Sequence, residues 1–301
     1  MNRLLIIGNG FDLFHGLPTK FTPDFKNIAE SEEQLHYFWE IYQTSEANIW
    51  ADFENLLAYP DFNSLEEIFE GYQPDYLSDH ESDRDSIITQ VELNGNLNSS
   101  LNKFAYQAEC AVEKARSISP YIDLIKDNDL FVNFNYTHTL EKLYGVQKNR
   151  VLHIHGEVGM DNLILGYPEG NFLPERYSCD VRQKGRGPYR EVDIRDHIED
   201  MFRNDMMDFY TYTAFKSLIE KTESFKKIPQ IHLLEQFLRG TEITEIFVVG
   251  HSCAIDFPYF IYLNDRFSQL NWTFTAFDDT TRNNINKLVT DISVINYQIL
   301  A

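Results

Sequence analysis

The feature that most constrains the fold is a run of four apolar residues, 4–7, that ends at the turn Gly8-Asn9-Gly10. Apolar residues at successive positions are typical of a strand buried on both faces of a parallel sheet. Later segments of the same character each run into Asn, His, Gly or Asp. Open α/β sheets hold their ligands at such strand ends. We therefore predict a parallel sheet whose carboxyl ends converge on one cleft, with strands near residues 3–8, 129–134, 150–155, 245–250 and 271–277.

The segments between these strands have helical character. Residues 99–117 carry apolar side chains at helical spacing, and a second helical block runs from about 196 to 238. A chain of 301 residues allows two domains, or one domain with insertions. We predict a single α/β domain over residues 1–301, with a mostly parallel Rossmann-like sheet and helical insertions at about 24–125 and 170–240. The charged segment 78–86 is expected to be an exposed linker.

Charge and cysteine content exclude several classes of protein. Lys and Arg number 26 and Asp and Glu 47, a formal charge of −21, so we expect neither nucleic-acid nor membrane binding. The dense basic segment 182–190 is Gly-rich, which favours a solvated loop over a phosphate or nucleic-acid site. The three cysteines form no C-x-x-C pair, which suits a reducing cytosol. With no run of 18 apolar residues and no signal-peptide core, we expect a cytoplasmic protein.

Two glycine turns are candidate ligand sites. The first, Gly8-Asn9-Gly10, lacks the third glycine of a dinucleotide fingerprint because Leu13 occupies that position, so a tight turn without a ligand fits it equally well. The second, 250–254, resembles the G-x-S-x-G turn of α/β-hydrolases. None of the nine histidines follows Ser252, and Ala254 replaces the last glycine. A glycine turn that exposes a hydroxyl to a ligand is therefore favoured over a serine nucleophile.

Two histidines, His153 and His155, would point to the same face of a strand. Such a pair could bind a metal, but the nearby Glu157 and Asp161 show no set ligand pattern, and we expect no metal. For His153 a buried, hydrogen-bonded core position is favoured. His155 stands at a strand end beside Gly156, where an imidazole that titrates near neutral pH can act as a general base.

Together these motifs resemble the abortive-infection AbiH family of bacterial phage-defence proteins. The most specific match is residues 5–19, which read LIIGNGFDLFHGLPT. Further elements agree in order along nearly the whole chain: Trp50-x-Asp52-x-Glu54, Phe134-Asn135-Tyr136-Thr137, His153-Ile154-His155-Gly156 with Leu165-Gly166-Tyr167, and Gly250-His251-Ser252 with Asp256 and Tyr259-Phe260. The resemblance implies an effector of phage defence, and it leaves open a homo-oligomer or another defence protein as partner.

The motif order also resembles, more distantly, the sirtuin-like NAD-binding fold. The matching positions are Gly8 and Gly10, 16–18, Asn135, 155–156, and 250–252. Thr137 stands where that family has Asp, no Arg follows the proline of 16–18, and the zinc-binding cysteines are absent. The resemblance therefore implies an effector that cleaves NAD, and it implies neither a zinc module nor an acetyl-lysine groove.

Cleavage of the nicotinamide–ribose bond passes through an oxocarbenium-like state, as glycoside cleavage does. We assign catalysis to Asn135, which would orient ribose and water, and to His155 as the base. Backbone N–H groups of residues 8–11 would hold the pyrophosphate. The residues expected to bind NAD are Gly8, Asn9, Gly10, Phe11, Asp12, His15, Gly16, Gly250, His251, Ser252 and Asp256. The alternative is a sensor or assembly module that binds a nucleotide without turning it over.

Overall fold

The computed structural model describes residues 2–32, 36–42, 49–71, 95–168, 178–181, 190–267 and 270–300. The segment 78–86 and residues 182–189 of the basic segment lie outside the described residues. The chain divides into two compact units, one of Met1–Phe25, Leu101–Ile164 and Ile228–Ala301, the other of Lys26–Ser100 and Leu165–Lys227. The second unit overlaps the ranges predicted as helical insertions, and the description of the chain as one domain remains a prediction.

The strands and helices of both units are numbered here in chain order. The strands in chain order are β1 (Asn2–Ile7), β2 (Leu130–Asn133), β3 (Val151–His153), β4 (Ser178–Val181), β5 (Arg190–Asp193), β6 (Ile243–Val249), β7 (Asn271–Thr275) and β8 (Asn296–Leu300). The α-helices are α1 (Asn9–Phe14), α2 (Lys26–Ala29), α3 (His36–Tyr42), α4 (Phe53–Leu56), α5 (Phe62–Gly71), α6 (Gly95–Val112), α7 (Ser119–Leu124), α8 (Thr139–Tyr144), α9 (Ile194–Arg203), α10 (Phe209–Ser224), α11 (Ile231–Phe237), α12 (Phe257–Arg266) and α13 (Asp279–Asp291).

Six parallel strands form the sheet of the first unit, in the order β3-β2-β1-β6-β7-β8. In register, Leu5 of β1 lies between Phe131 of β2 and Phe247 of β6. This is the strand order of a doubly wound Rossmann sheet, and the direction of winding reverses between β1 and β6. The predicted parallel α/β fold is confirmed. Ligands of such sheets bind in the crevice at this reversal, outside the carboxyl ends of the strands.

Helices cover both faces of this sheet because each central strand is apolar on both sides. Leu4 and Ile6 belong to a core with residues of α11, α12 and α13. Leu5 and Ile7 belong to a second core with Phe11, Tyr121 and Leu140, which come from α1, α7 and α8. Successive residues of a strand point to opposite faces, so these are the two faces of the sheet. β8 is the exposed edge strand and was not predicted, since Asn296, Tyr297 and Gln298 interrupt its apolar run.

The second unit consists of helices and a small antiparallel pair, β4 and β5, which the sequence did not predict. Its core includes aromatic contacts such as Phe38 with Tyr42 (ring centroids 4.5 Å apart), and the Tyr42 hydroxyl is hydrogen-bonded to Thr222. The Lys227 ammonium forms a buried ion pair with Glu54. In the described ranges of the chain, no helix combines the length and apolar character needed to cross a membrane.

Candidate functional site

The two predicted glycine turns meet at the reversal between β1 and β6. The N–H of Gly10 donates to the carbonyl of Gly250 (2.7 Å), and the N–H of Gly8 donates to Val249 (2.9 Å). A Cβ on Gly8 would lie 2.5 Å from Cα of His251, and one on Gly250 would lie 2.3 Å from the backbone nitrogen of Phe11. These glycines are therefore needed for the close approach of one turn to the other.

Three of the N–H groups assigned to a pyrophosphate already have backbone partners. Besides Gly8 and Gly10, the N–H of Phe11 donates to the carbonyl of Gly8 (3.0 Å). A phosphate that accepts from these three groups would have to replace or share these hydrogen bonds. Binding of NAD by residues 8–11 stays a prediction.

A cluster of two imidazoles and one carboxylate lies at the same edge of the sheet, and we call it the His155 site (His155, His251 and Asp256). His155 follows β3, while His251 and Asp256 follow β6. Nε2 of His155 is 3.3 Å from Oδ1 of Asp256, and Nε2 of His251 is 3.6 Å from Oδ2. All three side chains are buried. The sequence had proposed each of these residues for the site, and the structure brings them together.

The proton positions in this cluster follow from its hydrogen bonds. Nδ1 of His251 accepts from the N–H of Cys253 (3.0 Å), so its ring proton is assigned to Nε2, which faces Asp256. Asp256 likewise favours a proton on Nε2 of His155, which leaves Nδ1 as the basic nitrogen of that ring. Phe134 supports both rings edge-on, with ring centroids 5.0 Å from His155 and 4.8 Å from His251.

The loop that carries Asp256 has an unusual backbone. Gly250, Cys253 and Asp256 all have left-handed conformations, with φ of 66°, 55° and 66°. Left-handed residues other than glycine store conformational energy and concentrate at functional sites. Asp256 precedes α12 without capping it by a side-chain hydrogen bond, so its carboxylate is turned toward the histidines instead. Burial raises the pKa of Cys253 to about 12, which makes this thiol a poor nucleophile.

Asn135, the second predicted catalytic residue, is buried beside the first glycine turn. Its Nδ2 donates a hydrogen bond to the carbonyl of Gly8 (3.1 Å), and its backbone carbonyl accepts a hydrogen bond from Nδ1 of His153 (3.2 Å). The side-chain amide therefore ties the end of β2 to the end of β1. Among the described residues, none donates a hydrogen bond to its Oδ1, which is the atom left for a ligand.

Asp12, whose contact with a nucleotide stays a prediction, is enclosed by two threonines. Thr137 Oγ1 donates to Oδ2 (2.5 Å) and Thr139 Oγ1 donates to Oδ1 (2.8 Å). Burial raises the pKa of Asp12 to about 6, although the two hydroxyl hydrogen bonds oppose this rise. The side chain is 1% exposed, so in this structure it serves the packing of α1 against the loop after β2.

Of the remaining predicted residues, Asn9 and His15 are held by hydrogen bonds, whereas Ser252 is exposed. Asn9 donates through Nδ2 to the carbonyl of Thr19 (2.7 Å), and the His15 ring bonds Phe11 and Tyr144 (2.7 Å each). With Gly16, His15 lines a cleft of about 350 Å³ against α6. Ser252 is exposed, and its Oγ accepts a long hydrogen bond from the N–H of Ala254 (3.4 Å).

A second polar network, which we call the histidine–glutamate cluster (Glu109, His138, Glu141, His153 and Glu157), includes three residues that the sequence did not single out, Glu109, His138 and Glu141. His138 donates through Nδ1 to Glu109 (3.0 Å) and through Nε2 to Glu157 (2.8 Å). Nε2 of His153 lies 2.9 Å from Glu141. The predicted core role of His153 fits its burial, but its partner is a carboxylate. The adjacent Asn135-Tyr136-Thr137-His138 run at a strand end was the signal that pointed here.

The two glutamates that flank His138 are held ionised. The hydrogen bond to Glu109 raises the pKa of His138 to about 9, and the bond to Glu157 adds to this rise while burial opposes it. Burial alone would raise the pKa of Glu109, but hydrogen bonds from His138 and Lys142 lower it to about 2. At neutral pH His138 is therefore an imidazolium between two carboxylates.

A six-stranded parallel sheet in Rossmann order, with two buried imidazoles and a carboxylate beyond the carboxyl ends of its strands, defines a doubly wound α/β protein. The chain belongs to the bacteriophage abortive infection AbiH family, whose family model matches residues 4–276. This confirms the family indicated by the sequence motifs and supports a role in abortive infection by bacteriophage. Among curated proteins and among solved structures nothing matches the chain, and the sirtuin-like resemblance stays a prediction.

Proposed function

We propose that this protein is an effector of abortive infection that hydrolyses NAD at the nicotinamide–ribose bond. The observation that carries the proposal is the His155 site, in which a buried imidazole stands 3.3 Å from a buried carboxylate at the reversal of a Rossmann-ordered sheet. Dinucleotides bind sheets of this order at that place. A paired imidazole and carboxylate is the arrangement that general-base catalysis needs.

The reaction uses His155 and Asp256 in different roles. Asp256 holds the Nε2 proton of His155, so that Nδ1 can take a proton from water. The water oxygen bonds to the anomeric carbon of the ribose, and the carbon–nitrogen bond breaks. Its electron pair neutralises the pyridinium ring, so the products are nicotinamide, ADP-ribose and one proton. The negative charge of the buried Asp256 carboxylate also stabilises the positive charge that develops on the ribose. Exclusion of water strengthens this electrostatic interaction.

Asn135 has a narrower role in this proposal than the sequence alone suggested. Its Nδ2 already holds the Gly8 carbonyl, so the atom offered to a ribose hydroxyl is Oδ1. The same engagement of Asn135 is what favours the second candidate function, a module that binds a nucleotide without cleaving it. Such a module needs rigid strand ends and no base.

The test is release of nicotinamide from NAD by the purified full chain, measured by chromatography. The wild type should release nicotinamide, and His155→Ala should lose about 10²–10⁴-fold of the rate while NAD still binds. Asp256→Asn, which keeps the shape but not the charge, should lose at least about tenfold. His232→Ala, at an exposed position in α11, is the matched control and should keep the full rate.

Two measurements on the same variants separate the alternatives. Melting temperatures show whether His155→Ala acts on catalysis or on folding. NAD binding by the wild type with no nicotinamide release, both in vitro and in phage-infected cells that express the protein, would contradict hydrolysis and support the binding module. A His155→Ala protein that melts and turns over like the wild type would remove the imidazole from the mechanism.

A further inference from the structure

Three side chains of the histidine–glutamate cluster have the chemistry and placement of metal ligands, and a fourth lies beside one of them. One ligand atom from each of His138, His153 and Glu157 lies within 4.8 Å of the others. Glu141 adds a second carboxylate, 2.9 Å from Nε2 of His153. These residues come from the loop after β2, from α8, from β3 and from the loop after β3. They all lie within residues 138–157, but in four different elements that the fold brings together.

Both histidines are oriented as metal-binding histidines usually are. Nδ1 of His138 is bonded to a carboxylate oxygen of Glu109 (3.0 Å), and Nδ1 of His153 is bonded to the carbonyl of Asn135 (3.2 Å). In each ring Nε2 is the nitrogen that faces the cluster. An oxygen acceptor on the far nitrogen fixes the ring and makes the near nitrogen a better ligand.

One carboxylate oxygen of Glu141 is an independent observation that favours a cation here. Oε2 of Glu141 is buried and has no hydrogen-bond partner among the described residues. An ionised carboxylate oxygen left unpaired out of water costs free energy, and a cation at the cluster would remove that cost. The ammonium of Lys148 lies 3.0 Å from Oε1 of Glu157, and the Lys148 side chain is 68% exposed. Its positive charge therefore acts on the cluster from the solvent side.

We propose that His138, His153, Glu141 and Glu157 bind one zinc ion or a similar late first-row dication. Two imidazole nitrogens and two carboxylate oxygens form a four-ligand set for zinc, and the two carboxylates balance its charge. Around an ion with bonds of about 2.1 Å, ligand atoms lie about 3.4 Å apart. Small movements bring His138, His153 and Glu157 to that spacing, whereas the Glu141 side chain must turn from His153 toward the ion. Mg²⁺ and Ca²⁺ prefer all-oxygen ligand sets and are not expected to bind here.

The ion would act on structure rather than on chemistry. With four protein ligands it has no open position for substrate. It would join the loop after β2 to β3, the elements that carry Asn135 and His155. The proposal does not depend on NAD hydrolysis, because the ligands are separate from His155, His251 and Asp256. It replaces the expectation from sequence that the chain uses no metal.

The experiment begins with the full chain treated with EDTA and dialysed into a buffer that does not bind metals. Titration with ZnCl₂ by calorimetry should give one equivalent bound at micromolar affinity or tighter, and the melting temperature should rise with zinc. MgCl₂ should produce neither effect. X-ray absorption at the zinc edge should show nitrogen and oxygen neighbours and no sulfur.

Variants test the assignment of the ligands. His138→Gln, Glu157→Gln and Glu141→Gln should each weaken zinc binding at least tenfold, while His232→Gln on α11 should bind like the wild type. Glu141→Gln is the mildest change, since its amide oxygen can still accept from His153, and melting without zinc shows whether each variant is folded. The proposal is overturned by a wild type that binds no zinc, by sulfur at the zinc edge, or by unchanged zinc affinity in folded Glu141→Gln and Glu157→Gln.

Discussion

Asp12 shows how one buried carboxylate can make stability depend on pH. Burial raises its pKa from 3.8 to about 6, and Thr137 and Thr139 only partly offset the cost of the buried charge. The native state therefore holds this proton more tightly than the unfolded state does. Stability from this residue is greatest below pH 3.8, is lost as the pH rises to about 6, and changes little above that.

We expect Asp12→Asn to remove this pH dependence. Relative to the variant, the wild type should lose about 2 kcal/mol of unfolding free energy between pH 4 and pH 7. Glu109 and His153 also act on Asp12 through their charges, so the comparison of wild type with variant at each pH isolates the one carboxyl. Urea unfolding at pH 4, 5, 6 and 7 measures the difference. Parallel pH profiles for the two proteins would contradict a raised pKa at Asp12.

At the scale of elements, the strands were predictable because their signal is local. Residues 4–7 and 246–249 are continuous apolar runs, and they form β1 and β6 as expected. β8 lacked this signal because an edge strand has one exposed side, so polar residues such as Gln298 occur within it. The helix predicted over 99–117 begins and ends earlier, at Gly95 and Val112, but its predicted apolar positions from Leu101 to Val112 are buried.

The candidate site was predictable only in part, for a physical reason. His155, His251 and Asp256 each follow a strand, which the sequence shows, but their mutual contact depends on strand order, which it does not. Thr137 was noted as part of an AbiH motif and as a departure from the sirtuin-like pattern, but not as a partner of Asp12, to which its hydroxyl donates in the structure. Pairings of this kind arise from tertiary packing and leave no periodic pattern along the chain.

The contact between the two glycine turns leads to a prediction about Gly250. Gly250 and Gly240 have similar left-handed φ angles of 66° and 73°, but a Cβ would meet the Phe11 nitrogen at 2.3 Å on Gly250 and nothing within 4 Å on Gly240. Gly240→Ala should cost about 1–2 kcal/mol, from backbone strain alone. Gly250→Ala should cost a further 1–3 kcal/mol because the two turns must separate. Urea unfolding measures the loss of unfolding free energy in each variant. Equal losses would contradict the prediction, because they would mean that the two turns can separate at little cost.

At the scale of the whole molecule, the dominant property is a formal charge of −21. Excess charge of one sign destabilises the compact state by self-repulsion, and salt weakens that repulsion over the Debye length, about 30 Å at 0.01 M and about 8 Å at 0.15 M. Partly buried pairs, such as Arg3 with Asp129 (2.5 Å), are screened much less. The net effect of moderate salt on this protein should therefore be stabilising.

We expect the melting temperature to rise when NaCl is increased from 10 to 150 mM at pH 7.5. KCl should give the same rise, because screening depends on ionic strength and not on the identity of a monovalent cation. A melting temperature that falls with NaCl would mean that attractive ion pairs, such as those around His138, outweigh the repulsion of the net charge.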